Sequence, residues 1–272
     1  FAADSATSLI GVDGAGQSAV TNIYNHGKKV FSLHKSLPVV AMTAGMGSLA
    51  GSSIDVVAKD FRGLLMSADA AWRLDPQSYT LEEVATKAFA YFVNDQYAND
   101  PHKPEGDHSF ELFIGGFPSG SRLGEIWKIS IINGQGFGPV QLAAPGVVGV
   151  IWAGQPDALN RLIGGYSSGI IDVLQEAGVE EPALGQLQAS FTERVQAGLT
   201  HAAMPVQDAI HLAEFLVATT INFTKFLPGA NTVGGAIDIA TVTRHEGFKW
   251  ISRKHYYPSE LNPLETDHVG GR

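Results

Sequence analysis

Cysteine is absent from the 272-residue sequence, which excludes disulfides, thiolate metal sites and a Cys nucleophile together and fits a reducing compartment. Positive charge is sparse: 18 Lys and Arg stand against 27 Asp and Glu, for a net charge of −9. The basic residues are scattered and form no stripe that would hold a polyanion, so nucleic acid is not an expected partner. Long hydrophobic runs are missing too. The longest apolar stretch, Phe137 to Ala153, is broken by Pro139, Pro145 and several glycines, so no membrane helix is expected. The first residues, Phe-Ala-Ala-Asp-Ser-Ala-Thr, lack the charged start and apolar centre of a signal peptide, and the expected location is cytoplasmic.

What remains is a globular composition, 44% apolar and 17% charged, with ample material for a core. The first third reads as short strands and turns. A turn at Asp13–Gly16 precedes strand character in Ala19 to Tyr24, Lys29 to Leu33 alternates, and Pro38 to Thr43 is a β-branched run. Gly47-Ser48 opens a helical stretch with Ile54, Val57, Phe61, Leu64 and Leu65 on one face. A second helix starts at Thr80, where Thr-Leu-Glu-Glu has the form of a capping box, and runs to Val93 or Gln96. Strands are expected at Ser109–Ile114, Ile126–Ile132 and Val147–Trp152. Helices follow over Pro156–Ala177, Pro182–Ala197 and Pro205–Phe226, then strands at Ile237–Val242 and Phe248–Ile251. Runs of each type, without strict βαβ alternation, predict an α+β architecture with antiparallel sheets. Residues 1–253 are expected to form a single domain, with 254–272 a polar tail.

Generic catalytic motifs are scarce. There is no Gly-x-Ser-x-Gly elbow and no His-Glu-x-x-His, and Gly165-Tyr-Ser-Ser-Gly169 lies inside helical sequence. Asp100, His102, Asp107 and His108 match no standard ligand spacing, and His201 and His211 stand too far apart for adjacent turns, so no metal is expected. Gly45-Met-Gly-Ser-Leu-Ala-Gly51 mimics a dinucleotide-binding turn, but no strand ending in an acidic residue follows. No cofactor is expected.

Five segments, in order, resemble the proteasome β-subunit family: Phe1-Ala-Ala-Asp-Ser-Ala-Thr7, Gly27-Lys-Lys-Val-Phe31, Val39-Val-Ala-Met-Thr-Ala-Gly45, Ala153-Gly-Gln-Pro-Asp-Ala-Leu159 and Gly234-Gly-Ala-Ile-Asp-Ile-Ala240. The resemblance implies an N-terminal-nucleophile hydrolase with a four-layer αββα sandwich, two stacked antiparallel sheets between helical layers. It implies a threonine-type peptidase or amidase that self-assembles into a ring or helical stack and acts on peptides or proteins. The family's nucleophile is an N-terminal Thr whose own amine is the base, assisted by a Lys held by a carboxylate. Carried over, Lys29 is that lysine, Asp4 its carboxylate and the Gly45 N–H the oxyanion donor; Lys28 competes with Lys29 through a one-residue slip. The nucleophile is expected on a strand ahead of Phe1, either outside the chain given or clipped and still bound. The alternative is a catalytically silent assembly subunit. Ala153 stands where the family has Ser, and Pro228–Val233 carries no carboxylate where the family has one. By the same resemblance Leu33, Val40 and Met46 fall near the specificity pocket. An unfoldase partner is not identified by any of these residues.

Overall fold

The computed structural model describes residues 1–12, 18–104 and 106–254. In chain order the strands and helices begin with β1 (Ala2–Ala3), β2 (Thr7–Val12), β3 (Ser18–Tyr24), β4 (Val30–Ser32), β5 (Val39–Gly45), β6 (Ser48–Leu49) and β7 (Ser52–Ser53). Helices α1 (Ile54–Leu65) and α2 (Leu81–Ala88) follow, the latter continuing as wider π-type turns over Phe89–Tyr97. Next come β8 (Ser109–Gly116), β9 (Glu125–Ile132), β10 (Gln135–Ala143), α3 (Asp157–Leu159) with π-type turns over Asn160–Gly164, α4 (Ile170–Glu176), α5 (Glu181–Arg194) and α6 (Val206–Lys225). The described chain closes with β11 (Asp238–Thr243) and β12 (Gly247–Ser252). The chain is therefore a mixed α+β protein in which, among the described residues, every strand pairing is antiparallel.

The central sheet has the order β10-β9-β8-β5-β4, and a second sheet the order β1-β11-β12. The reason lies in β5, which is apolar on both faces. Successive side chains of a strand point to opposite sides. Val39 and Ala41 accordingly join Phe31, Leu33, Phe110, Leu112, Ile114, Ile129 and Ile131 in one large core with α1, α2 and the 89–97 turns. Val40, on the other face, packs with Val30, Ala3 and Ala240, flanked by Phe1, Met42 and Trp250 from both sheets. A third cluster joins Leu159, Ile163 and Leu216, and α6 contacts β1 and β11.

Helix α1 buries Ile54, Val57, Phe61 and Leu65 of the predicted stripe, while Leu64 is only partly buried. It starts at Ile54, later than the glycines at 45–51, because Ser48–Ser53 first forms a small hairpin. Those glycines therefore present no helix N-terminus to a phosphate. At Thr80 the side chain accepts the Glu83 N–H at 3.0 Å, half of the expected capping box; the Glu83 carboxylate instead pairs with Lys87 at 2.8 Å. The predicted helix over 156–177 is interrupted at Gly165, whose φ of +78° is a left-handed conformation that favours glycine and ends the helical turns.

Two strand expectations fail for opposite reasons. Val147–Trp152 is apolar and β-branched yet irregular, since no strand among the described residues pairs with it, and Val147 and Val148 are exposed. β10 is a strand where none was predicted. Gly136, Gly138 and Pro139 disguise it, and its register breaks between Phe137 and Val140 and again before Ala143. An edge position tolerates proline and bulges that a central strand would not. The Asp13–Gly16 turn and residues 255–272 of the expected tail lie outside the described residues.

The β4–β5 turn contains a buried histidine. His34 Nδ1 accepts the N–H groups of Ser36 and Leu37, both at 3.2 Å, so the ring is neutral with its proton on Nε2. Burial holds its pKa below the ordinary histidine value. The folded protein then prefers the neutral ring. The associated stability is complete above about pH 6.5 and declines as pH falls below it, by at most about 1.4 kcal/mol per pH unit for one group. Urea midpoints measured from pH 7.5 down to 5.5 are expected to fall less steeply in His34→Asn, whose amide oxygen accepts without titrating. Equal slopes in both proteins would rule this out.

Candidate functional site

Asp4 stands directly after β1, and three donors converge on its carboxylate. Lys29 Nζ lies 2.6 Å from Oδ1, while the N–H groups of Ala6 and Gly234 reach Oδ2, each at 3.0 Å. The Ala6 contact is a local turn of the kind Asp favours. The other two bring in the segment before β4 and the loop before β11. Side-chain exposure is 13% for Asp4 and 24% for Lys29, so the pair is partly withdrawn from water while the ammonium stays reachable.

Their contacts distinguish the two adjacent lysines, which precede β4 and turn opposite ways. Lys28 turns the other way and meets Asp55 in the first turn of α1, at 3.3 Å. Burial pushes its ammonium pKa down, opposed by Asp55. Lys29 is the one that reaches Asp4.

Gly45 ends β5 with φ +88°. A Cβ there would lie 2.1 Å from the Ser109 carbonyl oxygen, so both backbone conformation and space require glycine. The neighbouring ladder also orients its amide. Met46 N–H donates to Ser109 O at 2.8 Å, toward β8, and Thr43 N–H donates the opposite way, to Lys29 O at 2.9 Å. By the same alternation the Gly45 N–H points away from β8, to the side of β5 on which Lys29 lies.

Thr7 fills the space between. A Cβ on Gly27 would lie 2.0 Å from Thr7 Oγ1, and one on Gly47 would lie 2.7 Å from Thr7 Cγ2. Gly27 has an ordinary φ, so its requirement is one of size. Gly27→Ala is expected to destabilise the protein by about 1–3 kcal/mol, as overpacking does. Adding Thr7→Ala should recover most of that loss in urea unfolding. Additive losses would show that the contact is not the cause.

The remaining segments close around this centre. A Cβ on Gly154 would lie 3.8 Å from Ala44 Cβ, which puts the Ala153-Gly154 turn beside the end of β5. Gln155 Nε2 reaches Thr232 Oγ1 at 3.5 Å, linking that turn to the loop before β11. Asp4 and Lys29 are thus in direct contact, and Gly45 lies at the end of β5, two residues beyond Thr43, whose N–H bonds Lys29 O. Leu33 and Val40 do not line a pocket: both are fully buried, Leu33 under the helices and Val40 between the sheets, and Met46 packs partly against the helical core.

Lys254 escaped the sequence reading, which placed it at the head of the tail. Its side chain is 6% exposed and bonded to Ser5, Gly27 and Asp238. An isolated lysine after the last strand carries no local signal of burial. Among the described residues no group of three metal-ligating side chains occurs, and no helix is long and apolar enough to cross a membrane. Two clefts lie elsewhere, among the helices. One is lined by Trp152, Asn160, Tyr166 and Phe191 and the other by Val148, Val150 and Leu199, and neither holds a carboxylate, histidine or lysine. No family model matches the sequence, and no curated protein matches it either.

Proposed function

We propose that this chain belongs to a proteasome-like, N-terminal-nucleophile amide hydrolase, and that Asp4, Lys29 and Gly45 support its chemistry. One observation carries the reading. The 2.6 Å Lys29–Asp4 pair, locked by the Gly234 N–H, joins three segments directly, a fourth adjoins it through the Thr43 N–H to Lys29 O, and a fifth lies beside Ala44. Those segments are the ones whose residues resemble the family. Further support comes from the two apolar faces of the central sheet, which fit an αββα sandwich with α1 and α2 outside one sheet and α6 outside the other.

The chemistry follows from charge placement. An ammonium beside a hydroxyl lowers the pKa of that hydroxyl and stabilises the charge that develops as it attacks an amide carbonyl. The Asp4 carboxylate keeps the ammonium aimed, and the Gly45 N–H is available to the tetrahedral oxyanion. The nucleophile itself would be an N-terminal Thr outside these 272 residues. Its strand would fit beside β1, which among the described residues pairs on one side only, with β11. The reading extends to assembly of copies into a ring or stack, to peptide or protein substrates and to a cytoplasmic setting.

The test is N-terminal sequencing and intact mass of the purified gene product, combined with fluorogenic peptide turnover. A mature N-terminal Thr, Ser or Cys with turnover is the expected result. A mature protein without such a residue ends this reading. A second reading, a silent assembly subunit, is favoured by Ala153, which has no hydroxyl, and by the Pro228–Val233 loop, which has no carboxylate to support an N-terminal amine. Turnover that disappears in Lys29→Ala would sink it.

A further inference from the structure

Among the described ion pairs the most deeply buried joins Lys254, after β12, to Asp238, which is 2% exposed. The Lys254 ammonium donates to Asp238 Oδ2 at 2.5 Å, to Ser5 Oγ at 2.6 Å and to Gly27 O at 2.7 Å, while its backbone N–H meets Asp238 Oδ1 at 3.0 Å. Ser5 Oγ gives its own proton to Ala236 O at 2.5 Å, so toward Lys254 it acts only as an acceptor. All three ammonium protons are thereby committed, which leaves no lone pair to act as a base. Ser5 is also fully buried. A Ser–Lys catalytic dyad is excluded on both counts.

The partners define another role. Ser5 is the neighbour of Asp4, and Gly27 lies two residues before Lys29. Backbone bonds close the circuit: Gly27 N–H to Ser5 O and Ser5 N–H to Gly234 O, both at 2.8 Å, and Gly234 N–H back to Asp4 at 3.0 Å. We infer that Lys254 is a positioning residue for the Asp4–Lys29 pair, tying the residue beside Asp4 and the turn before Lys29 to the Asp238 end of β11. Neutralised by Asp238 and fully hydrogen-bonded, the buried cation can serve as a rigid tie where an unpaired one could not. The inference rests on the proposed hydrolase reading for its functional meaning, though not for its structural test.

That test is amide hydrogen exchange on the intact protein, comparing wild type with Lys254→Met. The N–H groups of Ser5, Ala6, Gly27 and Gly234 are expected to exchange about 10-fold or more faster, while those of Leu112 and Ile114 in β8 change less than about 2-fold. Unchanged exchange at the four reporters, or equal acceleration everywhere, overturns the inference. If Lys254→Met does not fold, Ser5→Ala carries the test, because it removes one acceptor and keeps the Lys254–Asp238 pair. Ala6 and Gly234 must then accelerate, and their silence overturns the inference. Where wild type turns over peptides, Lys254→Met should lower kcat with KM unchanged, and a changed KM at constant kcat would contradict it. The two readings fail separately. Local acceleration in a protein without turnover removes the hydrolase reading alone, whereas turnover dependent on Lys29 without local acceleration removes the positioning role alone.

Discussion

Lys29→Ala is expected to lower kcat for peptide amides about 10²–10³-fold in the intact, processed protein, with KM little changed. The size follows from what the ammonium does. It stabilises charge that appears only on the way to the transition state, and it does so in a partly desolvated site, where such interactions are stronger than in water. The variant also leaves Asp4, 13% exposed, with only the Ala6 and Gly234 N–H groups for company. Asp4→Asn should act in the same direction with a smaller drop, because an amide can still accept the Gly234 N–H but no longer neutralises Lys29. Lys28→Ala serves as the control. Its ammonium faces Asp55 on α1, so turnover should stay within about 3-fold of wild type. If Lys29→Ala kept most of the activity, or Lys28→Ala lost it, the assignment of Lys29 would fall.

The largest stability effect is expected at Phe61. Its ring is fully buried on α1, stacked on Tyr91 at 5.3 Å and set edge-on to Phe92 at 5.4 Å and Trp72 at 6.5 Å. Phe61→Ala removes the ring and leaves a cavity that the packed sheet behind it cannot fill, at a cost of about 3–5 kcal/mol in urea unfolding. Val56 lies on the same helix with 45% of its surface exposed, and Val56→Ala should stay within about 0.5 kcal/mol. A loss below about 1 kcal/mol for Phe61→Ala would mean that α1 does not pack on the sheet as described. The site would also be affected, since the sheet that carries Gly45 on one end presses its Val39 and Ala41 against this same core.

By itself the sequence determined the elements whose signal is local. The stripe of α1, the Thr80 cap and the β-branched run of β5 are all readable within a dozen residues, because helical and strand periodicities are short-range properties. Asp4, Lys29 and Gly45 were singled out through the resemblance of ordered segments to a known family, not by any local pattern of their own. Only the tertiary structure decided what depends on pairing across the chain. It made β10 a strand despite Pro139 and left Val147–Trp152 without a partner, since strand formation requires a neighbour that no local pattern reports. It put Lys29 on Asp4 and Lys28 on Asp55 in the irregular segment just before β4, where no strand pattern dictates which way each side chain turns. It also buried Lys254 against Ser5, 249 positions away, and set Thr7 between Gly27 and Gly47. Hydrogen bonds and contacts of that range are set by how distant segments pack together, and that packing is encoded in both apolar faces of the central sheet, which no single segment displays.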